Sequence, residues 1–140
     1  MNFEDGPQVP AGGNDYYALT VDSSDGSLSS IVEKATGREL VNTTSDYRFN
    51  ELAWNTHQEA TYLTAPHADP PSSASTAVDW NGPLAASIKV TRAGNAHPET
   101  WYRLYNGVDR IEIENVVNRD LMPYVPHDTG SRLYIVTLPF

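Results

Sequence analysis

The chain of 140 residues and 15.4 kDa has the size of one domain, and with 39% hydrophobic and 19% charged residues it is globular in composition rather than disordered. A formal net charge of -9 repels phosphates and anionic head groups, which makes nucleic acid and membrane poor partners and leaves a neutral ligand such as a sugar unpenalised. The absence of cysteine removes disulfides, thiolate metal sites and thiol nucleophiles, and no stretch approaches the roughly 18 apolar residues of a membrane span.

Residues 1–15 are polar and punctuated by Pro7, Pro10, Gly12 and Gly13, and are expected to be a flexible segment ahead of one β-sandwich domain over 16–140. Tyr17, Leu19 and Val21 alternate with small or polar neighbours, the period of a half-buried strand. Asp25-Gly26 supplies a turn, and Leu28 to Glu33 returns as a second alternating run, so the two form a hairpin. Ala35 to Glu39 is a second turn, leading to Leu40-Val41. From Asp46 to His57 the periodicity is mixed and fits irregular chain or a short strand. Residues 65–75 are rich in proline and serine, and nothing regular is expected to span them. Leu84, Ala86, Ile88 and Val90 mark a strand, and Tyr102 and Leu104 mark the next. Asn106-Gly107 then predicts a type I′ turn, pairing Trp101 to Tyr105 with Val108 to Ile113. Arg132 to Leu138 is a final strand. Seven or eight strands at hairpin spacing, without a convincing helix, predict an all-β antiparallel sandwich.

Four segments carry a resemblance. Residues 17–31 with Thr36-Gly-Arg-Glu-Leu, Gly82-Pro-Leu-Ala-Ala-Ser-Ile-Lys-Val, Tyr102 to Asn118 and Tyr134-Ile-Val-Thr-Leu-Pro-Phe occur in an order that resembles the C-terminal β-region of the glycoside hydrolase family 38 α-mannosidases. The resemblance implies a galactose-mutarotase-like supersandwich. It also implies that zinc and the aspartate nucleophile belong to an N-terminal α/β domain that this sequence does not contain. No catalytic residue and no cofactor is therefore carried onto this chain, which is expected to be a fragment or a reduced relative whose partner is an absent catalytic domain.

Read for chemistry, Glu112 and Glu114 share one face of a predicted strand with Ile111 and Ile113 on the other, the pattern of a solvated face over a core rather than of a catalytic pair. His57, His67, His97 and His127 are dispersed. His67-Ala68-Asp69 and His127-Asp128 lack the second ligand pair or the nucleophile motif that zinc or acyl-transfer chemistry needs. Carbohydrate binding asks only for an aromatic face ringed by polar groups, and the candidates are Trp54, Trp80 and Trp101, of which Trp54 and Trp80, beside asparagines, are expected to be exposed. The reading that follows is a non-catalytic accessory domain of an α-mannosidase-like glycoside hydrolase. The alternatives are a free-standing carbohydrate-binding module and a small epimerase or lyase.

Overall fold

The computed structural model describes residues 14–56, 67–122 and 132–140. Within them the chain is all-β and sandwich-like, with ten strands: β1 (Tyr17–Val21), β2 (Leu28–Glu33), β3 (Arg38–Glu39), β4 (Glu51–Thr56), β5 (His67–Ala68), β6 (Ser73–Asn81), β7 (Ala85–Ala93), β8 (Glu99–Tyr105), β9 (Ile111–Val116) and β10 (Arg132–Thr137). All pairings are antiparallel, in sheets ordered β1-β2-β3, β10-β4-β5 and β6-β7-β8-β9. A bridge between Leu28 and Phe49 joins the first two sheets.

The core lies between the first sheet and the four-stranded one. Leu19, Val21, Leu28 and Ile31 meet Ala86, Ile88, Val90, Tyr102 and Leu104, all buried, with Phe49 and Val41 closing the end. Alternation is the cause: Ile88 and Val90 on β7 and Tyr102 and Leu104 on β8 point inward while their neighbours point to the far face. Each fully buried aliphatic side chain of this kind contributes about 1.5–3 kcal/mol.

The Asp25-Gly26 hairpin forms as expected, with Gly26 at φ 76° and a register shift between Thr20 and Val21. Gly37 at φ 69° turns β2 into β3. The Asn106-Gly107 hairpin also forms, but not through a type I′ turn. Only Gly107 of the pair has positive φ, and β9 begins at Ile111 opposite Leu104 instead of at Val108. Tertiary contacts hold the longer loop: Asn106 donates its N–H to Leu84 O at 2.7 Å, Asn14 Nδ2 donates to Val108 O at 3.0 Å, and Tyr17 Oη donates to Asp109 at 2.6 Å. Asn14 itself is fully buried.

Two further expectations are corrected. Residues 65–75 are not uniformly irregular, because β5 pairs with β4 and β6 starts at Ser73, two residues after Pro70-Pro71 break the path. An edge strand tolerates this, since one side of it needs no partner. Leu84 does not continue the inward row of Ala86, Ile88 and Val90; it sits in the β6–β7 turn, 73% exposed.

Candidate functional site

Residues directly opposite in an antiparallel pair share a face, which decides where the tryptophans stand. The outward face of the four-stranded sheet carries Lys89 opposite Trp101, Trp101 opposite Glu114, Ser87 opposite Arg103, and Arg103 opposite Glu112. Trp80 joins this face through an irregularity. Val78 pairs with core residue Ile88, so simple alternation would also aim Trp80 inward; the register shift between Val78 and Trp80 adds Asp79 and turns Trp80 outward, opposite Ser87. The indole is 50% exposed and lies against Gly82, where a Cβ would come within 3.1 Å of Cζ2.

Trp80 and Trp101 thus share one face, whereas Trp54 does not join them. It lies on β4, opposite Tyr134 of β10 and His67 of β5, and is half-buried rather than exposed because β4 is the middle strand of its sheet. Trp101 is half-buried too, with Lys89 Nζ 4.8 Å and Arg103 Cζ 5.9 Å from its ring centroid, so cations already occupy its π-face.

Glu112 and Glu114 stand on the outward face, and both pair with Arg103 Nη1, at 3.0 and 2.5 Å. Tyr105 Oη donates to Glu112 at 3.3 Å. The hydrogen bond to Glu114, helped by Glu112, raises the Arg103 pKa further, so the guanidinium is fixed and permanently charged. Two carboxylates sharing one arginine are a surface ion-pair network, not an acid and a nucleophile held apart.

A second polar cluster lies inside the seam between the sheets, and sequence reasoning missed it. Arg92 donates to Asp25 O, Gly26 O and Thr100 Oγ1, each at 2.7 Å. His97 Nε2 sits 2.9 Å from Thr100 Oγ1 and 2.8 Å from Asn115 Oδ1. Asn50 and Asn115 exchange amide hydrogen bonds at 3.1 and 2.7 Å, and Asn50 Nδ2 also reaches Tyr102 Oη at 3.0 Å. Burial, then Arg92, lowers the His97 pKa to about 4, and burial lowers that of Arg92. The signal for this cluster was present in the sequence: Arg92 continues the inward row of Ile88 and Val90, and Thr100 precedes Tyr102 and Leu104 in the same phase. Asn50, at φ 65°, had no such signal.

The seam opens on a cavity of about 20 Å³ beside Asp25, Arg48, Asn50, Arg92 and His97. That is room for one water molecule and far below the roughly 300 Å³ at which ligand pockets begin. Asp25 pairs with Arg48 and accepts the Ser27 N–H. A larger groove, about 320 Å³, is apolar and is lined by Tyr17, Ile31, Leu40, Phe49, Ile113 and Phe140. Among the described residues no three His, Cys, Asp or Glu side chains converge as a metal site requires. Asp69 is committed to the Ala96 N–H at 3.2 Å. His57 and the His127-Asp128 pair lie outside the described residues, as does the His67 side chain.

Comparison with known families agrees with this architecture: residues 13–133 match the glycosyl hydrolases family 38 C-terminal domain. The chain belongs to that family. Neither the curated proteins nor the solved structures give a match. A family 38 C-terminal domain is an accessory part of a glycoside hydrolase, so the groups that matter most on this chain are those facing outward.

Proposed function

We propose that this chain is a non-catalytic accessory domain of an α-mannosidase-type glycoside hydrolase, and that it packs on a catalytic domain through its apolar groove. The observation that carries the reading is the family 38 match over residues 13–133, which spans nearly all the described strands. The distribution of polar groups supports it. The buried cluster encloses space for one water rather than for a sugar, its histidine is held neutral, and the outward carboxylates are tied to one arginine. None of these is poised to protonate a glycosidic oxygen or attack an anomeric carbon, which needs two carboxyl groups with separated pKa values.

The groove supports the docking half. Phe140 is 74% exposed although its ring packs edge-on against Phe49 at 5.3 Å, and Leu138 beside it is also exposed. Aromatic and aliphatic surface of this kind is covered at domain interfaces. The test has two arms. The purified chain should release no product from aryl α-mannosides, with or without added zinc, and turnover that survives repurification overturns the non-catalytic reading. Mixed with a separately expressed family 38 catalytic domain, the chain should form a complex that Phe140→Asp weakens, and the absence of a complex overturns the docking reading.

A further inference from the structure

The two exposed surfaces differ in character, and the difference points to different occupants. The groove is almost wholly apolar. The outward face of the four-stranded sheet instead sets one exposed indole in a row with Arg103, Glu112 and Lys89. Protein-docking cores are depleted in charged residues, whereas a pyranose asks for an aromatic surface for its C–H face and fixed polar groups for its hydroxyls.

From this we infer that Trp80 is the stacking platform of a carbohydrate-binding site, taking one neutral pyranose unit of a glycan. The inference stands apart from the mannosidase reading and does not require it. Two observations carry it. The register shift at Asp79 removes Trp80 from the core-facing row and presents it to solvent, so the strand forgoes burial of its largest side chain. Gly82 backs the indole closely, which limits its rotamers and lowers the entropy lost when a ring stacks on it.

Polar groups further along the row are already fixed. Arg103 is held by Glu112 and Glu114 and is opposite Ser87, so its orientation is set before any ligand arrives. Trp101 plays a different part. It lies two strands from Trp80 and two residues off its row, roughly 12 Å by strand geometry, beyond the reach of one pyranose ring, and its π-face carries Lys89 and Arg103. It is a strut for the polar groups rather than a second platform.

The three tryptophans give three indole N–H signals, which makes the test direct. The ¹⁵N-labelled chain is titrated with mannotriose, cellotriose and chitotriose, and the indole signals are assigned by single Trp→Phe variants. The Trp80 signal should shift with at least one trisaccharide while those of Trp54 and Trp101 stay within error. Trp80→Ala should weaken binding by about tenfold or more and Trp80→Tyr by about threefold or less, with Trp80→Tyr keeping the melting midpoint and Trp80→Ala lowering it by only a few degrees, because half of the side chain is exposed. Three results overturn the inference: no Trp80 shift with any of the three sugars, binding that survives Trp80→Ala, or loss by Trp80→Ala of the complex with the catalytic domain, which would make this face a protein contact.

Discussion

Gly26→Ala isolates a steric demand that the paired glycine Gly37 does not share. Both residues have positive φ, 76° and 69°, so an L side chain at either position carries a backbone penalty of about 1 kcal/mol. They differ in space. A Cβ on Gly26 would come to 2.1 Å from Val90 Cγ1 and 3.1 Å from Arg92 Nη2, whereas one on Gly37 would meet nothing within 4 Å. Val90 is fully buried and cannot swing away, so the turn itself must lift from the sheet. That movement pulls Gly26 O from Arg92 Nη2 at 2.7 Å and from Tyr102 Oη at 2.9 Å. Overpacking of this kind costs about 1–3 kcal/mol and each hydrogen bond lost to a buried partner about 1–3 more. Gly26→Ala is therefore expected to destabilise the chain by about 4 kcal/mol or more and Gly37→Ala by about 1. Urea unfolding followed by tryptophan fluorescence reads both, with m compared to confirm that the unfolding transition keeps its cooperativity. Equal costs for the two variants would refute the close approach of the β1–β2 turn to β7.

Three further outcomes are expected. Asn50→Ala, which leaves Asn115 and Tyr102 Oη without their amide partner and keeps a Cβ at positive φ, should cost about 2–4 kcal/mol in the same assay, and Asn50→Gly about 1 less; a glycine variant no more stable than the alanine one would remove φ from the account. His97 stays neutral in the fold down to about pH 4 while the unfolded chain takes up the proton near 6.5, so the unfolded state binds more protons between these values and stability should fall on acidification through that window, by up to about 1.4 kcal/mol per pH unit. His97→Gln should flatten the slope between pH 6.5 and 5, above most carboxylate titrations, and parallel slopes would contradict a buried neutral imidazole. Ser87→Ala should be neutral or stabilising by up to about 1 kcal/mol, because it deletes a buried hydroxyl without a partner; a loss above about 1 kcal/mol would mean that the hydroxyl is bonded.

Most of the scaffold was legible because it rests on short-range rules. The Asp25-Gly26 turn, the β1 and β2 alternation and the Ile88-Val90 and Tyr102-Leu104 rows follow from period and φ alone, and the structure reproduces them. β6 was not legible: Ser73 to Asn81 is an edge strand of small residues, without an inward row apolar enough to mark its period. The loop after Asn106 was misread because a local preference for a two-residue turn yields to bonds from Asn14, Tyr17 and Leu84, far away in sequence. The candidate site shows the same division. That Trp101 and Arg103 share a face is visible from spacing, but that Trp80 joins them depends on one extra residue in β6, and a shift of one residue exchanges the faces of a strand.

The polar seam fixes how the two exposed surfaces stand to one another. Its members come from all three sheets or their turns: Gly26 from the β1–β2 hairpin, Asn50 from the approach to β4, and Arg92, Thr100, Tyr102 and Asn115 from β7, β8 and β9. Apolar packing resists a small slide of one sheet over another less sharply than hydrogen bonds do, since leucine and isoleucine contacts are non-directional. Amide pairs and a guanidinium fork resist it more sharply, because each requires its partner at one distance and angle, and a slide would orphan several buried groups at about 1–3 kcal/mol apiece. The groove, formed by Tyr17 and Phe49 on one side and Ile113 on the other, is thus held in one geometry relative to the outward face that carries Trp80. A catalytic domain docked in the groove and a glycan stacked on Trp80 would then keep a constant separation, the arrangement an accessory domain needs if it is to hold a substrate chain at a fixed place beside the enzyme it serves.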